Sequence, residues 1–290
     1  MQGPLRLSDI ILKTGDWKAA IRPELGGALV GLWRGDVPVL RETPAASDVL
    51  DAACFPLVPF CNRIADGRFT FSGHDVEIAP NLPGQAHPLH GFGWRARWDV
   101  LRTDAAGALL EHRRDAAPDW PWAYRAHQHF ALDAKGITVR LMVENRSGES
   151  APVGLGLHPY FRRRDDVTVT FHAEAMLGID AAFLPDGKAY RAEELAAWSE
   201  GAALPDVLVD HCFARWGGLT TIADDLGTIT LRGFGAPHLH VFAPPGGSEL
   251  CAEPVGHTPD ALNRDPAAMT LLPPGACAGI AMRIEALSAA

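Results

Sequence analysis

The sequence of 290 residues predicts an all-β protein, antiparallel throughout, with few and short helices. Three observations lead there. Its 29 glycines and 23 prolines are spread as punctuation between short segments, not gathered into one tract. Several pairs of segments flank tight, Gly-containing turns, which is how hairpins read in a sequence. Strands never alternate with long amphipathic helices, which argues against a parallel α/β sheet. Together these predict about fifteen or more strands in large antiparallel sheets packed face to face. Periodicity alone leaves a sandwich and a barrel both open.

The elements follow in chain order. Strands are expected at residues 18–22 and 28–33. Arg68-Phe69-Thr70-Phe71, the turn Ser72-Gly73 and residues 74–78 make a hairpin. Strands at 98–102 and 108–113 come next, and then a second hairpin, 126–132 and 137–144 around Asp133–Gly136. Within it Val139, Leu141 and Val143 alternate with Arg140, Met142 and Glu144, the period of a half-buried strand. A strand is expected at 167–174, and a third hairpin at 219–222 and 228–231 around Asp224–Gly227. The last strands are expected at 238–242, 249–253 and 278–285. Helical signals are limited to two turns at 192–198 and one at 258–263, with Thr258 as N-cap and Pro259 in the first turn. No repeat, charge block or linker-like tract divides the chain, so residues 1–290 read as one domain.

Composition narrows the function classes. Hydrophobic residues make up 47% and charged residues 21%, values that permit a packed core and argue against disorder. Lys plus Arg number 26 against 35 Asp plus Glu, a net charge of −9, so no nucleic-acid partner is expected. No apolar run reaches the length of a membrane span, and Pro4, Asp9 and Asp16 interrupt the start, where a signal peptide would need an apolar core. Cys54, Cys61, Cys212, Cys251 and Cys277 are scattered without a CxxC, which fits reduced thiols better than disulfides or a zinc site. No membrane partner and a cytoplasmic location are expected.

Four segments place titratable residues at strand ends and tight turns, where sites commonly sit. The first contains Asn62 and Arg63 among Phe60, Ile64 and Phe69; an Arg in apolar company needs a partner, most simply a carboxylate. The second is Leu89-His90-Gly91-Phe92-Gly93-Trp94, where glycines permit a turn that presents an imidazole beside an aromatic ring. Such a pairing suits sugars, whose C–H faces pack on rings while their hydroxyls need donors and acceptors. In the third, His158 ends an apolar strand before Pro159, well sited for proton transfer near neutral pH. In the fourth, Glu253 likewise ends an apolar strand before Pro254. The pairs His127/His129 and His238/His240 each share a strand face, but neither has a third ligand nearby in sequence, so no metal is expected. The run Arg162-Arg163-Arg164 reads first as a solvated face, with an anion site as the alternative.

In this order the segments resemble the aldose 1-epimerase (galactose mutarotase) family. The resemblance rests on Asn62-Arg63 before Gly67-Arg68-Phe69, on Leu89-His90-Gly91, on His158-Pro159-Tyr160-Phe161, on Asp210-His211-Cys212-Phe213, and on Glu253 followed by Pro259-Asp260-Ala261-Leu262-Asn263. Each motif is weak alone; five in order are specific. The resemblance implies an antiparallel β-supersandwich and cofactor-free interconversion of the α and β anomers of an aldose, with a small sugar as partner. It implies Glu253 as the base at the C1 hydroxyl and His158 as the acid at the ring oxygen. Asn62, Arg63, His90 and Asp210 would hold the sugar.

Two departures bear on the substrate. Where galactose mutarotases carry a Gln before Pro-Gly, this chain has Pro244-Pro245-Gly246. The Gly91-Phe92-Gly93 stretch is closer to the hexose-6-phosphate branch, and Arg95, Arg97 and Arg162–Arg164 add cations. The alternatives are therefore a mutarotase for an anionic sugar and a non-catalytic sugar-binding protein on the same fold.

Overall fold

Along Tyr124–Asp133 every second side chain is buried, and its neighbour Gly136–Asn145 repeats the alternation over most of its length. One face of each strand therefore packs inward and the other meets solvent. The computed structural model describes residues 8–43 and 45–288; the first seven residues, part of the N-terminal stretch considered above, lie outside it.

Two large sheets result, and every strand pair within them is antiparallel. The second, of nine strands, runs Ala202–Ala203, Thr168–Phe171, Leu219–Asp224, Gly227–Phe234, Cys277–Ser288, Gly136–Asn145, Tyr124–Asp133, Gly107–Arg114, Asp99–Thr103. The first has eleven strands. At its centre lie, side by side, Cys54–Leu57, Gly156–Pro159, Cys251–Val255, His238–Ala243 and Val209–Ala214. Leu12 and Ile21 from the first sheet join Phe130, Leu141 and Met282 from the second in one buried cluster, so the sheets face each other across a shared core.

Three local expectations fail for identifiable reasons. Residues 192–198 form no two-turn helix but two separate 3₁₀ turns, Ala192–Glu194 and Trp198–Glu200. Trp198 is drawn inward to stack on Phe171 at 5.3 Å, which breaks the run. The turn near 260 starts later than expected: Asp260, at φ 56°, precedes the short helix Ala261–Arg264, and Thr258 and Pro259 stay outside it. Finally, Pro254 does not end its strand. Cys251–Val255 continues through it, so Glu253 sits mid-strand opposite His240.

Candidate active site

Sheet register builds the floor of the site. Phe55 lies opposite His158, and His240 lies opposite both Glu253 and Cys212, so these residues form one row across the central strands. Gly156 pairs with Val255, which brings His158 level with Glu253. Their side chains meet, His158 Nε2 to Glu253 Oε1 at 3.2 Å, with both residues buried. The His158 ring packs against Phe55 at 4.5 Å and Tyr160 at 4.8 Å, which also approach each other at 6.2 Å, and Arg41 covers the Tyr160 ring at 3.4 Å. That stack fixes the imidazole plane.

Loops supply the walls of a cleft of about 200 Å³ above this row. Asn62 adopts φ 57°, which breaks strand alternation and lets both Asn62 and Arg63 line the cleft. His90 lies at φ 61°, followed by Gly91 at φ 69°, where a Cβ would stand 2.3 Å from Val58 O. The two loops are stitched together: Asn62 N donates to His90 Nδ1 at 3.1 Å, and His90 N donates to Asn62 O at 3.0 Å. Because Nδ1 accepts, the neutral ring carries its proton on Nε2 and offers a donor. Leu50, Leu82 and Phe242 complete an apolar rim.

All six residues expected from sequence line this cleft: Asn62, Arg63, His90, His158, Asp210 and Glu253. Besides the apolar rim, Gln85, Tyr160 and His240 line it without being expected as site residues. His240 Nε2 donates to Asp210 Oδ1 at 2.7 Å, while His238 turns away, its Nδ1 accepting from Arg215 N at 3.3 Å. His240 shares a strand face with Phe242, but its place opposite Glu253 follows from sheet register, which the sequence does not reveal.

Burial sets the protonation pattern. It lifts the Glu253 carboxyl to about 8, with Asp210 adding to the push and His240 and Arg63 opposing it. Burial drives His158 well below the ordinary imidazole value, helped by His90 and His240, and drives His90 down to about 3, helped by Arg63. Burial works against charge on Asp210 and His240 too, but their mutual hydrogen bond outweighs it, holding Asp210 low and His240 high. The cleft thus holds a carboxyl and an imidazole that compete for one proton, beside a separate carboxylate–imidazole pair.

His158, Cys251 and Glu253 also bring one ligand atom each within 4.8 Å of one another. A cation there would have to displace the proton of the Cys251 thiol, which burial raises well above its usual value. The arginine run does not reach the cleft. Arg162, expected as solvated, is buried and forks onto Asp224 at 2.6 and 2.7 Å. Arg163 donates to the carbonyls of Pro244 and Glu249, Arg164 pairs with Asp225, and Arg95 lies against Asp48 and the Trp94 ring.

Comparisons with known proteins agree with this architecture. The family model for aldose 1-epimerase matches residues 9–284. The uncharacterized protein YphB of Escherichia coli K12 is 31% identical over 247 residues, covering 81% of this chain and 83% of that protein. Galactose mutarotase of Rattus norvegicus is 28% identical over 137 residues, 43% of this chain and 39% of that one. A crystal structure of an aldose 1-epimerase homologue from Escherichia coli K12 superposes with a TM-score of 0.90 at 28% identity, covering 97% of this chain and 99% of that one. A galactose mutarotase-like protein from Clostridium acetobutylicum shares the fold, with a TM-score of 0.82 at 20% identity over 97% of this chain and 95% of that one. Among the described residues, no helix is long and apolar enough to cross a membrane.

Proposed function

The chain belongs to the aldose 1-epimerase family, and we propose that it interconverts the α and β anomers of a neutral aldose by acid–base opening and closing of the ring. The observation that carries this reading is the His158–Glu253 contact of 3.2 Å on the floor of a cleft rich in hydrogen-bonding groups. Once the shared proton has passed from Glu253 to His158 across their contact, Glu253 takes the proton of the C1 hydroxyl while His158 delivers its proton to the ring oxygen. The C1–O5 bond breaks and the electron pair left on C1's oxygen forms the aldehyde carbonyl. Rotation about C1–C2 exposes the other carbonyl face, and the two groups run in reverse to close it. A carboxylate whose proton affinity has been raised by burial is a better match to a weakly acidic sugar hydroxyl than an exposed one.

Arg63 and the Nε2–H of His90 act as donors to sugar oxygens, including those that gain negative charge as the ring opens. Asp210, with one oxygen held by His240, accepts from a hydroxyl, and Asn62 adds a further polar contact. A neutral substrate is favoured because Arg95 and the run Arg162–Arg164 are engaged elsewhere, by Asp48, Asp224, Asp225 and backbone carbonyls. Arg63, inside the cleft, already faces Asp210 and Glu253.

The test is anomer exchange followed by polarimetry or exchange NMR for galactose, glucose, glucose 6-phosphate and a sulfonated hexose. Acceleration of a neutral hexose that disappears in Glu253→Gln is the expected result. A preference for the phosphorylated or sulfonated sugar would overturn the neutral assignment, and sugar binding without acceleration would overturn catalysis.

A further inference from the structure

The run Pro259-Asp260-Ala261-Leu262-Asn263 takes no part in the chemistry above, and none of its residues lines the cleft. Asp260 is nevertheless 3% exposed and held at φ 56°. Its backbone N–H donates to Arg63 O at 3.0 Å. Its Oδ1 accepts from Ala65 N at 2.9 Å and from Asn263 Nδ2 at 2.8 Å, and Oδ2 faces Arg264 Nε at 3.3 Å. Asn263 Nδ2 also reaches Arg68 O at 3.0 Å. The main chain around Arg63 is therefore fastened on one side by Asp260 and on the other by His90, through Asn62.

The Arg63 guanidinium lies over the Phe183 ring at 4.9 Å and faces Asp210 and Glu253, but its hydrogen bonds are few. Its Nη2 makes one long hydrogen bond, 3.3 Å to Gln85 Oε1, and its buried Nε has no partner among the described residues. With so few hydrogen bonds of its own, the side chain depends on where its backbone is held for its aim. We propose that Asp260 is a positioning residue that aims Arg63 into the cleft. The proposal rests on the mutarotase reading for what Arg63 does to a sugar, but not for where Arg63 points.

Two substitutions separate the carboxylate from the backbone. Asp260→Gly accepts the left-handed conformation without strain but lacks the carboxylate; Asp260→Asn tolerates that conformation and keeps an acceptor. In Asp260→Gly, kcat/KM for the best aldose should fall about tenfold, mainly through KM, with Asp260→Asn restoring most of it. Adding Asp260→Gly to Arg63→Ala should cause no further loss, because the two act through one group. Fully additive losses, or an Asn variant as impaired as the Gly variant, would overturn the proposal. A second arm needs no sugar: the Arg63 Nε–H resonance, identified by its loss in Arg63→Lys, should shift or broaden in Asp260→Gly and persist in Asp260→Asn. An unmoved resonance in Asp260→Gly overturns the positioning role. Failure of the wild type to accelerate any aldose would sink the mutarotase reading alone.

Discussion

Glu253 and His158 titrate as a unit, and their shifts have opposite signs. With Glu253 raised to about 8 and His158 lowered, the pair holds one proton over a broad range below pH 8. Above that value the shared proton is lost and no acid remains for the ring oxygen. After subtraction of the solvent reaction, kcat/KM should therefore stay level through neutrality and decline above about pH 8. An unperturbed pair would decline from about 6.5, and a limb there would show that burial does not govern the site. Glu253→Gln should lose at least about 10²-fold in kcat. The same substitution should raise stability at high pH. The folded state keeps the Glu253 proton up to about 8 while an unfolded carboxyl releases it near 4.5, so the folded protein binds more protons and loses stability as pH rises between those values. Thermal denaturation at pH 5 and pH 8 checks this: the advantage of the Gln variant should open toward pH 8, and an equal gap at both would refute it.

The elements that hold the site divide into those the sequence reveals and those it hides. The hairpins at 68–77 and 124–145 are legible because alternation and turn glycines survive there. Cys54–Leu57, beneath His158, is hidden because Pro56 reads as a breaker, although the strand lies at the centre of its sheet. The same bias places Glu253 at a strand end. Site residues were easier to find than the elements carrying them, since Asn62, Arg63 and His90 announce themselves by motif, while the left-handed turns that aim them depend on contacts remote in sequence. Gly154 illustrates such a contact. An added Cβ would stand 1.9 Å from the ring of His257, whose Nε2 accepts from Cys61 N beside the Asn62 turn. Gly154→Ala should destabilise by about 1–3 kcal/mol in urea unfolding and weaken activity as well. Gly91→Ala meets both a disfavoured φ and the Val58 carbonyl, so it should displace His90 and lower kcat/KM while the far sheet keeps its structure. Unchanged kcat/KM would disprove that coupling.

Across the whole molecule, the run Arg162–Arg164, which reads first as a solvated face, is bound into the fold. Arg162 ties the first sheet, through Pro38 O, to Asp224 at the end of an interior strand of the second. Arg162→Met should leave kcat/KM for a neutral aldose within about twofold, yet lower the melting temperature by several degrees, because it strands a paired carboxylate. A selective loss on phosphorylated sugars would instead return this arginine to substrate binding. The five motifs were legible because each is a short local string; that two sheets would bury an arginine between them was not, since neither partner lies near the other in the chain. The floor of the cleft has the same character, being contributed by Cys54–Leu57, Gly156–Pro159, Val209–Ala214, His238–Ala243 and Cys251–Val255. Pairings this remote form late, after long loops have closed. Turnover is therefore a clock for the folding reaction: during refolding, hairpin signals should recover first, and the ability to open a sugar ring should return only with the slowest phase.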